Sequence, residues 1–189
     1  ADGNYTASVQ LEGGSGKAFM ARDGVFDQLD CALTWHPSTI NMSSPASTLA
    51  NYQVSFRFRG TAAHAANAAH LGRSALDALE LMTTGIQYLR EHIIPEARIH
   101  YAITNAGGAA PNVVQSEAEI VYLIRAPHAN QVEEIYQRVQ KVAQGAALMT
   151  ETGVEETGFK ASYNVLPNHT LGAVMGDNLL ALGAPTCTQ

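Results

Sequence analysis

The run Gly60-Thr61-Ala62-Ala63-His64-Ala65-Ala66-Asn67-Ala68-Ala69-His70-Leu71-Gly72-Arg73-Ser74-Ala75-Leu76-Asp77 joins two segments of different periodicity, and its flanks reveal the kind of domain it belongs to. Upstream, Tyr52, Val54, Phe56 and Phe58 alternate with Gln53, Ser55, Arg57 and Arg59, the period-two pattern of a strand with one wet face. Downstream, Ala75, Leu79, Met82, Ile86, Leu89 and Ile93 recur at steps of four and three, which predicts an amphipathic helix ended by Pro95. Ser74 and Asp77 form a capping pair at its start. Between the two, His64 and His70 stand among alanines and glycines. Such neighbours fill a core poorly and suit a loop that brings imidazoles to an arriving ligand; a plain water-facing turn has the same composition.

Further along, Ile99, Tyr101 and Ile103 alternate as a second strand, closed by Gly107-Gly108. Ile120 to Ile124 is apolar on both faces, as a central strand is. Asn130 with Glu133 caps a second helix with a stripe of Val132, Ile135, Val139, Val142, Ala146 and Met149, and Phe159, Ala161, Tyr163 and Val165 give a last strand. From 51 to 165 the order is strand, helix, strand, strand, helix, strand. That is the α+β, βαββαβ pattern of a ferredoxin-like sandwich, with two helices on one face of an antiparallel sheet. Its exposed edge invites a second copy, so a homodimer is expected.

The flanks read differently. Tyr5 to Leu11 suggests a weak strand, Lys17 to Arg22 a short helix, and Cys31-Ala32-Leu33-Thr34-Trp35 a buried parallel strand, together one βαβ step. Ser38 to Ala50 is a linker by composition, and Asn168 to Leu182 has helical spacing. Residues 1–50 and 166–189 therefore read as pieces of a second, parallel α/β body, and a chain opening on Ala1 reads as a segment of something longer. Hydrophobic residues make up 46% of the chain, ample for a core. A net charge of -6 without a basic cluster argues against nucleic acid and anionic membrane as partners. No apolar run is long enough to cross a bilayer. Cys31 and Cys187 stand singly, which favours a reducing, cytoplasmic compartment.

The runs Gly60-Thr61-Ala62-Ala63-His64-Ala65-Ala66, Pro111-Asn112-Val113-Val114 and Tyr122-Leu123-Ile124-Arg125-Ala126-Pro127 resemble those of the metal-dependent amidohydrolases related to carboxypeptidase G and aminoacylase. Within that family the likeness is strongest to the aminobenzoyl-glutamate hydrolase branch. Ala75-Leu76-Asp77-Ala78, Arg90-Glu91-His92-Ile93-Ile94 and Gly145-Ala146-Ala147-Leu148-Met149-Thr150-Glu151-Thr152 carry it. The resemblance implies a catalytic domain holding two divalent metal ions, zinc or manganese, interrupted by an inserted ferredoxin-like dimerisation domain. This chain resembles the whole insertion, 51–165, with catalytic-domain flanks on either side. The implied reaction is hydrolysis of the amide of an N-acyl or N-aroyl amino acid, and a further implied partner is a companion subunit.

By the same resemblance, His64 is the histidine offered to the active site of the other protomer, where it would donate a hydrogen bond to the oxyanion formed when water attacks the amide. His70, near the same loop, has a weaker claim. Arg125 would hold the substrate carboxylate in a bidentate fork, and Asn112 would bond that carboxylate or the scissile carbonyl. An internal ion pair for Arg125 and a turn-forming role for Asn112 are the structural alternatives. Glu12 and His36 resemble metal ligands. Where the family has two adjacent glutamates, the first acting as general base, this chain has Leu11-Glu12, and leucine cannot accept a proton. The run Leu11-Glu12-Gly13-Gly14-Ser15-Gly16 also fits a flexible linker. The family's upstream metal motif is absent, so the chain alone is expected to bind no metal pair and to be inactive. The competing reading is a ferredoxin-like regulatory or small-molecule-binding module that breaks no bond.

Overall fold

The computed structural model describes residues 16–183, which divide into two compact units: one built from the segments up to Thr48 and from Val165 onward, the other from Leu49–Asn164. The second unit carries the sandwich. Its strands are β1 (Ala50–Arg59), β2 (Ala63–His64), β3 (Arg98–Asn105), β4 (Val113–Val114), β5 (Glu117–Ala126) and β6 (Gly153–Ser162). In the first unit α1 spans Gly16–Arg22 and α4 His169–Leu182; the sandwich helices are α2 (Ala75–Arg90) and α3 (Ala129–Met149).

The main sheet has the order β3-β5-β1-β6, with every neighbouring pair antiparallel. This is the ferredoxin-like arrangement. Helix α2 rests chiefly on β5 and β1, and α3 on β1, β5 and β6, both on one face. Val54, Phe56 and Phe58 from β1 meet Ile120, Tyr122 and Ile124 from β5 beneath Leu79, Met82 and Ile86 of α2 and Val132 and Val139 of α3, all nearly or fully buried. Burial of these side chains is what holds the two layers together. The opposite face is polar. Antiparallel register places Arg98, Arg125, Asn51 and Ser162 in one row across it, and His100, Leu123, Gln53 and Lys160 in the next. At the other end of the same face Arg57 and Arg59 pair with Glu119 at 3.0 Å and Glu155 at 2.8 Å.

Local signals are met in part. Ser74 caps α2 by accepting from the Asp77 N–H at 3.0 Å. The helix ends at Arg90, short of Pro95, and Ile93 packs on the core from the following turn. Helix α3 begins earlier than expected: the backbone N–H of His128 donates to the Gln131 side chain at 3.0 Å, so Asn130 and Glu133 are not the cap. Its buried stripe runs through Ala143 and Ala147, while Met149 lies largely in solvent. A bulge that leaves Thr157 unpaired between Glu156 and Gly158 reverses the facing of β6 midway, which hid its first half from a period-two reading.

In the first unit, Asn168 caps α4 by accepting from the Leu171 N–H at 3.0 Å. Ser43 donates to the Gly172 carbonyl at 2.7 Å, and Ser47 to that of Val165 at 2.8 Å. The expected parallel strand at Cys31–Trp35 does not form: these residues lack regular structure, with Leu33 65% and Trp35 83% exposed. An apolar run becomes a buried strand only when neighbouring strands cover it, and none pairs with it among the described residues. The Tyr5–Leu11 segment lies outside the described residues.

Candidate functional site

The loop that follows β1 is held closed at its base. Thr61 and Arg73 exchange backbone hydrogen bonds at 2.8 and 2.9 Å, and the Gly60 N–H donates to the Ser116 carbonyl at 2.8 Å. Gly60 must be glycine here, since a Cβ would lie 1.9 Å from the Arg73 carbonyl oxygen. Beyond the clasp, β2 pairs with β4, setting His64 opposite Val113, and the Ala65 N–H donates to the Asn112 carbonyl at 3.0 Å. His64 and Asn112 are thus brought together, both exposed, at the end of the sandwich where β5 begins.

The His64 ring is oriented by its own loop. The backbone N–H groups of Ala66 and Asn67 both donate to Nδ1, at 3.2 and 3.3 Å. A nitrogen that accepts cannot carry the proton, so neutral His64 is the Nε2–H tautomer and offers a hydrogen-bond donor. His70 sits exposed in a single 3-10 turn, Ala69–Leu71, and its side chain makes no hydrogen bond or ion pair within the described residues. Arg73 ties the far side of the loop down with an ion pair to Glu151 at 2.8 Å. This positioning role for Arg73 went unread in the sequence; the only hint was its place between Gly72 and the Ser74 cap.

Arg125 stands elsewhere. It lies eight residues beyond Glu117 on β5, about 26 Å away at the rise of an extended strand, at the opposite end of the sheet from His64 and Asn112. Arg125 is exposed, without an ion pair among the described residues, so the internal-pair alternative finds no support. His36 is exposed, with Nδ1 2.8 Å from the Pro37 carbonyl oxygen, and ends no strand. Glu12 and Leu11 lie outside the described residues. Among the described residues no three His, Cys, Asp or Glu side chains are grouped so as to hold a metal ion, so these residues do not fit a di-metal centre. No helix among them is long and apolar enough to cross a membrane.

Known proteins are similar to this chain in sequence and in fold. Residues 48–151 match the family described as the peptidase dimerisation domain. The chain is 60% identical over 174 residues to one of the subunits of p-aminobenzoyl-glutamate hydrolase of Escherichia coli (strain K12), a match that covers 92% of this chain and 36% of that protein. It is 35% identical to the Xaa-Arg dipeptidase of Mus musculus, over 91% of this chain and 40% of the other. The chain therefore spans well under half the length of these relatives. A solved structure of aminobenzoyl-glutamate utilization protein from Klebsiella pneumoniae shares the fold, with a TM-score of 0.56 at 24% identity over 71% of this chain and 34% of that one. On the matched segment, the shared identity and the ferredoxin-like sheet, this chain belongs to the peptidase dimerisation domain family, and the proteins it is similar to are hydrolases.

Proposed function

We propose that this chain is the dimerising and substrate-clasping portion of a cytoplasmic hydrolase that cleaves the amide bond of N-acyl or N-aroyl amino acids, of the aminobenzoyl-glutamate kind. The observation that carries the proposal is the His64 imidazole: exposed on a clasped loop, with Nδ1 turned to two backbone donors and the proton left on Nε2. A donor fixed in that way stabilises the oxyanion of an attacked amide without reorganising during the reaction. The metal-bearing part of the enzyme, with zinc or manganese, belongs to the longer protein.

The separation of Arg125 from His64 supports a divided site. An N-acyl amino acid is far shorter than the strand between them, so one molecule cannot touch both residues of the same chain. The β3 edge offers the remedy. Tyr101 and Ile103 are 42% and 48% exposed there, whereas β6 is blunted by its bulge and by Glu155 and Glu156. A twofold axis through β3 continues the sheet antiparallel, and the Arg98 end of one β3 then lies beside the Asn105 end of the other. Arg125 of one protomer comes to the same side as the partner's His64 and the partner's Asn112, so the homodimer is a requirement of the chemistry. Similarity to another subunit of the Escherichia coli (strain K12) p-aminobenzoyl-glutamate hydrolase, 30% identical over 152 residues, fits a companion subunit with the same domain.

Complementation tests this in the full-length enzyme. His64→Ala and Arg125→Gln protomers, each inactive alone, should regain activity when mixed, because one of the two sites in a mixed dimer has both residues intact. Absence of any recovery in verified mixed dimers would place both residues in one chain's site and defeat the proposal.

A further inference from the structure

The turn that ends α3 holds one residue in a conformation its side chain disfavours. Thr150 closes the helix, the Glu151 N–H donates to the Leu148 carbonyl at 3.4 Å, and the Thr152 N–H donates to that of Ala147 at 3.0 Å. These two bonds make a Schellman turn, whose left-handed position falls on Glu151 at φ 53°. Every other positive φ among the described residues belongs to a glycine. Glycine is the usual occupant of such a position because it has no Cβ to crowd the following carbonyl, so a glutamate is held there at a cost.

What the glutamate supplies is a carboxylate. Its Oε2 accepts from Arg73 Nε at 2.8 Å, the one ion pair Arg73 makes among the described residues, and no Asp or Glu between Gly60 and Arg73 could take its place. The Glu151 side chain is 70% exposed and that of Arg73 38%. An ion pair so open to water stabilises a domain by less than a left-handed backbone at a non-glycine residue costs. For stability alone, glycine would serve position 151 better. The remaining bonds of Arg73 show where the carboxylate is felt instead. Its backbone exchanges hydrogen bonds with Thr61 at the base of the His64 loop, and Nη1 donates to the Gly72 carbonyl at 2.7 Å and to that of His70 at 3.4 Å. Successive turns then lead back to the histidine: the Leu71 N–H donates to the Ala68 carbonyl at 3.0 Å, and the Ala68 N–H to the His64 carbonyl at 2.9 Å.

From this chain of contacts we infer that Glu151 is a positioning residue. Through Arg73 it fixes the loop against the end of α3 so that His64 Nε2 keeps its place, and the strained backbone at position 151 is retained for that effect rather than for the stability of the domain. The inference rests on the oxyanion reading of His64 and adds the residue, on a different element, that holds the loop from outside. A charge-assisted hydrogen bond to a guanidinium fixes direction as well as distance, and a donor displaced by about 1 Å loses much of its effect on a reaction.

Glu151→Gly in the full-length enzyme is the test, because one substitution relieves the backbone and removes the carboxylate. The melting temperature should be kept or raised, while kcat for an N-aroyl-glutamate falls about tenfold to a hundredfold with KM little changed. In a His64→Ala background the same substitution should lower kcat no further, since the loop then has no donor to place. A kcat untouched by Glu151→Gly, a lowered melting temperature, or an equal fall in kcat in the His64→Ala background would overturn the inference and leave His64 its role. A kcat that His64→Ala itself does not lower would instead defeat the reading of His64 on which the inference rests.

Discussion

The chemistry of His64 is set by two backbone N–H groups rather than by another side chain. Ala66 and Asn67 can donate to one ring nitrogen because small residues let the loop curl back on itself. In the full-length enzyme, His64→Ala should lower kcat about a hundredfold to a thousandfold, the loss typical of one oxyanion donor, with little change in KM or in melting temperature. Steady-state hydrolysis of N-aroyl-glutamate measures it; a KM effect alone would mark His64 as a binding residue. Gly60 belongs to the same loop by a different route. Gly60→Ala forces a Cβ into the Arg73 carbonyl and should cost about 1–3 kcal/mol of stability, as overpacking does, with a fall in the urea midpoint. The importance of the residue was legible as a glycine at a strand end, but the atom it would strike, thirteen residues later in the chain, was not.

At the level of elements, the two edge strands differ in what they can join. Edge β6 is bent by its bulge and charged, while β3 presents Tyr101 and Ile103 on the helix-covered side, where α2 rests on β5 and β1. Ile103→Glu should therefore shift the protein from dimer to monomer in sedimentation analysis without unfolding it; a dimer that survives the substitution would move the interface away from β3. Periodicity identified β1, β3 and both sandwich helices, because one wet face leaves its mark on every second or every third and fourth residue, while β5 was legible as a run apolar on both faces. It missed β2 and β4, two residues each, since a strand that short has no period to read. It overreached at Cys31–Trp35, where apolar composition stood in for the partner strands a buried strand requires.

For the whole domain, the core combines aromatic bulk with phenols that have to stay protonated. Burial raises the Tyr122 hydroxyl well above its ordinary value of 10.0, as it does Tyr136, where the hydrogen bond to Glu156 adds to it. A folded-state pKa above the unfolded one contributes stability that is complete below about pH 10 and is lost as pH rises beyond it. The urea midpoint should thus be flat up to that region and fall above it, and Tyr122→Phe should flatten the fall. Because the Tyr122 hydroxyl is buried without a hydrogen-bond partner among the described residues, the same substitution should cost little at neutral pH. A midpoint for Tyr122→Phe that falls as steeply as the parent's would assign the alkaline loss to other groups.

Read alone, the sequence established the order of the long elements in the sandwich, the buried faces of β1 and of the two sandwich helices, and the loop on which His64 is carried, because these follow from local spacing along the chain. The folded domain alone revealed that Arg125 and His64 lie at opposite ends of the sandwich and that Arg98, Arg125 and Lys160 share one end of a face. Those relations depend on register between strands distant in the chain. A shift of one residue in pairing turns every side chain to the other face, and periodicity within a single strand carries no record of its partner's alignment.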